Sequence, residues 1–461
     1  MKQYDAIIIG AGQAGTPLSK KLAKAGWKTA LIEKRFIGGT CVNDGCTPTK
    51  TLIASAKAAY IAAKQADELG IKIGSFEIDF AKIMKRKNEI VMNGREGSEK
   101  SIRETENLDL VFGEAIFTGD KIIEVRTTSG EVLELSADYF FIDTGTRTKI
   151  PDIEGINKVP YLTSTSILDL KQLPDHLLIL GGGYIGMEFG QLFKRLGSKV
   201  TIIDSASTFL PKEDEDICEE ITGIFREDGI DVYQKSKAKS LEYTDRKIKI
   251  TFEHEGKTQA VSGDQLLIAA GRIPQSDLLK PENSGIEIDE KGFIKVDDKL
   301  QTNVPGIYAL GEANGGPAFT HIAFNDYIIV CYNLLNKENR STKDRPIPYC
   351  MFTDPQLARV GMTEKQAIEK GLNIKVAKLP MSSVARGVET GETRGIMKAV
   401  VDADTHKILG VAILAVEGGE VMSVLEIAMR AGMTYDELRN YIFAHPTYSE
   451  SINNLFMKLD E

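Results

Sequence analysis

Two of the five cysteines in this 461-residue sequence lie in Gly38-Gly39-Thr40-Cys41-Val42-Asn43-Asp44-Gly45-Cys46-Thr47-Pro48-Thr49-Lys50. Cys41 and Cys46 can close into a disulfide only if the chain between them bends, and Gly45 tolerates dihedrals closed to other residues. Pro48 suits the first position of a helix, which would put Cys46 at the positive helix end, where a thiolate is stabilised. The chemistry this predicts is thiol–disulfide exchange. The plainer alternative is a pair of small buried residues in a core. Cys218, Cys331 and Cys350 stand alone and read as packing residues.

Two further stretches predict nucleotide binding. Ile7-Ile8-Ile9 suits a buried parallel strand, and Gly10-Ala11-Gly12-Gln13-Ala14-Gly15 follows it at once. Glycines at Gly10, Gly12 and Gly15 let the backbone turn and approach a pyrophosphate, whose charge the next helix meets with its amides and dipole. Pro17 falls in the first helical turn, where proline is tolerated. A second strand at 29–32 ends at Glu33, placed to bond a ribose diol. The arrangement recurs: strand 177–180, then Gly181-Gly182-Gly183-Tyr184-Ile185-Gly186, a helix over 187–196, a strand over 199–203 and Asp204. Two such units imply two nucleotides. Asp204 can accept from a free ribose 2′-hydroxyl but would repel a 2′-phosphate, and no arginine stands at 205–208, so NADH is favoured over NADPH.

The elements around these motifs must position them. The length predicts two to four domains. Residues 51–68 read as an alanine-rich helix, followed by a further helix and short strands at 108–112, 121–127 and 131–135. Pro151 and Pro160 mark a linker. From Pro346 the pattern is strand, helix, paired strands at 396–401 and 408–414, then helices. A net charge of -9 offers nothing to attract nucleic acid or anionic lipid. The opening residues run straight into a strand, and no apolar run approaches the length of a membrane span, so a cytoplasmic protein with no signal peptide is expected. Cysteines this sparse are no disulfide framework, and a close pair in that compartment reads as catalytic.

The cysteine segment, of pattern GGTCxNxGCxPxK, resembles the flavoprotein disulfide reductases: dihydrolipoamide dehydrogenase, glutathione reductase, mercuric reductase and their relatives. The resemblance extends over nearly the whole chain. It implies an α/β fold with two Rossmann-like dinucleotide-binding domains and an α+β dimerisation domain: FAD at 1–148 and 277–345, NAD(P) at 149–276, interface at 346–461. It further implies that Cys41 exchanges with substrate while Cys46 lies against the flavin. Hydride would pass from NADH, or NADPH, to FAD, and the reduced flavin would open the Cys41–Cys46 disulfide. Flavin contacts would come from Gly10, Gly12, Gly15, Glu33, Thr40, Lys50, Thr144, Gly145, Gly311, Glu312 and His321. Nicotinamide nucleotide contacts would come from Gly181, Gly183, Tyr184 as a lid, Gly186, Asp204 and Gly271. Glu312 departs from the family, which has aspartate there. His321 reads equally well as a packing histidine. Lys50 and Glu188 match a family ion pair beside the flavin N5. His445-Pro446-Thr447 with Glu450 matches the family's acid/base dyad, which enters the active site of the other subunit, so a homodimer is expected.

For the electron acceptor, the segments around the cysteines, 315–320 and 410–456 look most like mercuric-reductase-like enzymes, including flavoproteins of reactive-chlorine and hypothiocyanite defence. Mercuric reductases carry a vicinal cysteine pair near the C-terminus and tyrosine in place of the dyad histidine. Residues 454–461 hold no cysteine and His445 is kept, and no N-terminal metal-binding domain is expected. No metal site is expected. The reading is a reductase of disulfides or oxidised sulfur or chlorine species such as hypothiocyanite. The alternatives are dihydrolipoamide dehydrogenase, from whose usual cysteine segment Asp44 and Thr47 depart, mercury(II) reductase, and a flavin redox sensor that does not turn over.

Overall fold

Strand Lys2–Ile9 lies between Thr29–Glu33 and Val132–Ile142 and runs parallel to both, which is why Ile7-Ile8-Ile9 is apolar without alternation. Thr29–Glu33 pairs in turn with the first half of Leu108–Gly119. The second half of that strand turns into an antiparallel ribbon with Ile122–Thr127 and the start of Val132–Ile142. The ribbon therefore closes over the parallel strands as a second layer. Ile307–Ala309 extends the sheet beyond Val132–Ile142. One face buries Ile7, Ile9, Phe117, Phe140 and Ile307; the other buries Ile8, Leu18, Leu31, Phe141 and Leu310. Each such side chain withdrawn from water contributes about 1.5–3 kcal/mol.

The computed structural model describes residues 1–460. It divides into two units. The first comprises Met1–Thr51, Met84–Lys149 and Gly271–Arg345, and holds the sheet just described. The second comprises Leu52–Ile83, Ile150–Ala270 and the chain from Pro346 onward. Within it a parallel sheet has the order Gln265–Ile268, His176–Leu180, Lys199–Ile203, Asp231–Tyr233. A separate five-stranded antiparallel sheet packs Met397, Val411 and Ile413 with Leu425 of helix Gly418–Arg430 and Leu455 and Phe456 of helix Ser451–Met457.

Element boundaries shift at the places that matter for chemistry. The alanine-rich helix begins at Cys46 rather than at 51 and runs to Tyr60; a π-helical turn Ile61–Gln65 and the short helix Ala66–Glu68 follow. Thr49, Leu52, Ala56 and Ala59 form its buried stripe at helical spacing. Pro48 is thus the third helical residue and not the first, still within the turn whose amides have no intrahelical partner. The helix of the second glycine-rich unit starts at Tyr184, three residues ahead of the expected 187, and ends at Arg195.

Candidate active site

Cys41 lies in the short helix Gly39–Asn43, and Cys46 is the first residue of Cys46–Tyr60. Gly38, at φ +98, caps the short helix; a Cβ there would stand 2.7 Å from that of Val42, so glycine is required twice over. Gly45 plays a different part from the one expected. It is not among the positive-φ glycines, and its need is for room, since a Cβ would stand 2.9 Å from the Thr40 carbonyl oxygen. The turn brings the sulfurs together. A side-chain hydrogen bond with Cys46 and then burial push the Cys41 thiol well above its ordinary range, while Thr320 and Lys50 act the other way. Cys41 therefore holds its proton tightly. Cys46 Sγ lies 3.2 Å from Thr320 Oγ1, the residue that opens helix Thr320–Asn336. Sequence reasoning missed Thr320. Its only signal was a hydroxyl residue opening a helix just after Gly315-Gly316-Pro317.

In the second unit, His445 Nδ1 is 2.9 Å and 3.0 Å from the two Glu450 carboxylate oxygens. The carboxylate can only accept, so Nδ1 carries the proton and Nε2 is the nitrogen left for exchange. Thr447 fixes the turn by accepting from the Glu450 amide at 3.1 Å and donating to the Ala444 carbonyl at 2.9 Å. Tyr184 and Glu188 are one turn apart on their helix. Glu188 is buried and accepts from the Phe352 amide at 2.8 Å. The Tyr184 ring lies 5.5 Å from that of Tyr349, and burial, then the charge of Glu213, push its phenol up. Lys50 belongs to the first unit and Glu188 to the second.

The first unit's residues fit a flavin nucleotide. Gly10 has φ +107, and a Cβ on it would stand 2.2 Å from the Asp143 carbonyl oxygen; one on Gly15 would stand 2.1 Å from the Gly10 carbonyl oxygen. Both glycines are obligatory, and the turn is held by Glu33, which accepts from the amides of Ala11 at 2.9 Å and Arg35 at 2.8 Å. Thr144 Oγ1 is buried with no hydrogen-bond partner, which suits a hydroxyl placed to meet a bound polar group. Gly145 has φ +62 with open space where a Cβ would go, and Gly311 has φ +60. Glu312, the departure from the family pattern, is engaged by the Thr146 hydroxyl and faces Arg272 Nε at 3.4 Å. Neither partner was foreseen from the sequence. His321 stacks on Phe319 with ring centroids 5.5 Å apart, and Thr40 is exposed on helix Gly39–Asn43.

The second glycine turn follows the same logic. Gly181 has φ +111, and a Cβ on Gly186 would stand 2.0 Å from the Gly181 carbonyl oxygen. Gly183 opens onto space, as does Gly271 in the first unit at φ +120. Asp204 Oδ1 accepts from the Ala206 amide at 3.2 Å. Among the described residues no cluster of His, Cys, Asp or Glu is arranged to hold a metal ion, and no helix is long and apolar enough to cross a membrane.

Comparison with known proteins places this arrangement in context. The family model described as pyridine nucleotide-disulphide oxidoreductase matches residues 4–326, and its dimerisation domain matches 347–456. The chain is 42% identical over 460 residues to an Escherichia coli (strain K12) protein described as a probable pyridine nucleotide-disulfide oxidoreductase, RclA, covering 99% of each. It is 34% identical to mercuric reductase of Bacillus cereus, covering 99% of this chain and 72% of that protein. A solved structure described as the Cu(II) complex of the HOCl-induced flavoprotein disulfide reductase RclA from Escherichia coli superposes with a TM-score of 0.91, at 41% identity and 99% coverage of both chains.

Proposed function

We propose that this chain, which belongs to the pyridine nucleotide-disulphide oxidoreductase family, uses the Cys41–Cys46 pair to pass electrons from NADH to oxidised sulfur or chlorine species such as hypothiocyanite. It is an NAD(P)H-dependent flavoprotein disulfide reductase. The observation that carries the proposed route is the thiol pair itself: Cys46 at a helix start beside Thr320, and Cys41 holding its proton. The Escherichia coli relative, described as HOCl-induced, supports an oxidant or its sulfur products as acceptor.

In this reading the Gly10–Gly15 turn holds FAD, with Thr144 and the Gly311 turn beside it, and the Gly181–Gly186 turn holds the pyridine nucleotide, with Asp204 selecting the free 2′-hydroxyl of NADH. Bound FAD supplies the hydride relay between nucleotide and disulfide. Cys46 is the thiolate kept on the flavin side, stabilised by the helix start and by the Thr320 hydroxyl. Cys41 cannot ionise unaided near neutral pH and needs a base. His445 Nε2 from a second copy takes its proton while Glu450 holds the resulting imidazolium. Cys41 then attacks a disulfide acceptor, forming a mixed disulfide and releasing one thiolate, which takes that proton back. The Cys46 thiolate attacks Cys41 Sγ, re-forming the internal disulfide and releasing the second sulfur. Lys50 and Glu188 match the positions of a family ion pair, and the three-domain division at 148, 276 and 345 follows the family pattern. A homodimer is supported by the exposed apolar residues of the dimerisation region, with Ile442 92% and Ile427 71% exposed.

The test is NADH oxidation by the flavin-loaded protein with hypothiocyanite, glutathione disulfide, lipoamide and thiol-bound Hg(II) in turn. Fast hypothiocyanite turnover with little lipoamide activity supports this reading. Fast lipoamide turnover that collapses in His445→Ala would make it a dihydrolipoamide dehydrogenase instead.

A further inference from the structure

One buried acid beneath the first glycine turn has no part in the route just described. Asp143 follows strand Val132–Ile142, its amide donating to the Ile9 carbonyl at 2.8 Å. Its Oδ2 accepts from the Gly15 amide at 2.8 Å. A Cβ on Gly12 would stand 2.6 Å from that oxygen, and one on Gly311 would stand 3.2 Å from Oδ1. The carboxyl thus sits among glycines from both turns that the flavin reading uses, at the start of helix Gly15–Lys24, where a pyrophosphate would be met.

We propose that Asp143 is a positioning residue for the flavin pyrophosphate: its buried carboxyl braces the Gly10–Gly15 turn against Gly311, and because a charge on it would oppose the pyrophosphate, flavin retention depends on its ionisation. The charges around it point this way. Glu33, at the end of Thr29–Glu33, and Asp326, on Thr320–Asn336, both disfavour a second anion, and Arg345 is engaged by Asp326 at 2.5 Å. Burial is the largest effect, and although the Gly15 and then the Ala14 amide act the other way it pushes the Asp143 carboxyl up to about 8. A pyrophosphate at the same helix start adds negative charge, so flavin binding and deprotonation of Asp143 oppose each other. Affinity is then flat below about pH 8 and falls above it, by at most about tenfold per pH unit.

The proposal rests on the flavin site assigned above. Its test is release of FAD from the holoprotein, followed by the gain of free-flavin fluorescence between pH 6.5 and pH 9, for wild type and Asp143→Asn. Expected is release that accelerates above pH 8 in wild type and is flat with pH in the variant, whose amide oxygen can still accept from Gly15. If Asp143→Asn does not fold, infrared spectroscopy of the wild-type holoprotein at pH 8 decides: the carbonyl stretch of a protonated buried carboxyl must be present, and its absence overturns the proposal. Wild-type release that is flat with pH overturns it while leaving the flavin site intact. A protein that takes up no FAD at any pH overturns both.

Discussion

His445 presents Nδ1 to Glu450 at 2.9 Å while the His445 side chain remains 67% exposed. An oriented, outward-facing imidazole suits a proton carrier that works on another copy of the chain. His445→Ala is therefore expected to slow reduction of the acceptor by roughly 10²–10⁴-fold. Anaerobic reduction of the flavin by NADH should be unchanged. Glu450→Gln should lose less, because it keeps the ring's neighbour but not its charge. Stopped-flow measurement of the two half-reactions separates these; a variant slowed only in the nucleotide half-reaction would place His445 elsewhere in the cycle.

Thr320 is expected to set the ionisation of Cys46. Its hydroxyl lies 3.2 Å from the sulfur, and a hydrogen bond to a charged group contributes about 1.5–3 kcal/mol. Thr320→Val should therefore raise the pH midpoint of thiolate alkylation in the reduced protein by about one to two units, and Thr320→Ser should restore it. An alkylation profile that does not move with Thr320→Val would remove this residue from the account.

Within the second unit a part-buried ion network holds the Lys57 end of helix Cys46–Tyr60. Lys57 Nζ is 2.9 Å from Asp354 and 2.5 Å from Glu392, and the Arg195 guanidinium both contacts Asp354 and lies 3.9 Å from the Tyr60 ring centroid. Burial alone would raise the Asp354 carboxyl, but Arg195 and then Lys57 outweigh it and hold it below the usual carboxylate range. A depressed folded-state value means that this stabilisation is present above the unfolded value of about 4 and is lost as pH falls below it. Asp354→Asn leaves two cations short of a partner and should cost about 3 kcal/mol at pH 7, with a shallower loss of stability on acidification. Denaturant unfolding from pH 7 down to pH 3 checks both; a variant as stable as wild type at pH 7 would contradict it.

What was legible in the sequence divides along a physical line. Local patterns could be read: the two strand–glycine–helix units, the spacing of Cys41 and Cys46, and the His445-to-Glu450 segment all depend on residues close together in the chain. The start of the 51–68 helix lies earlier, at Cys46, because a proline such as Pro48 marks a first turn without fixing which of its positions it fills. Thr320 beside Cys46, Asp143 beneath Gly15, Arg272 facing Glu312 and Asp354 with Lys57 are all long-range pairings. Such pairs carry no periodicity, and only the folded chain reveals them. Gly45 shows the same limit, since room against the Thr40 carbonyl is a property of the turn once formed.

The central claim is that the Cys41–Cys46 pair is an electron store in series with the flavin. Anaerobic titration of the holoprotein with dithionite and then NADH tests it most directly. The account predicts that wild type takes up twice the reducing equivalents of Cys46→Ser, because an internal disulfide is itself a two-electron couple. Equal uptake by wild type and Cys46→Ser would contradict it.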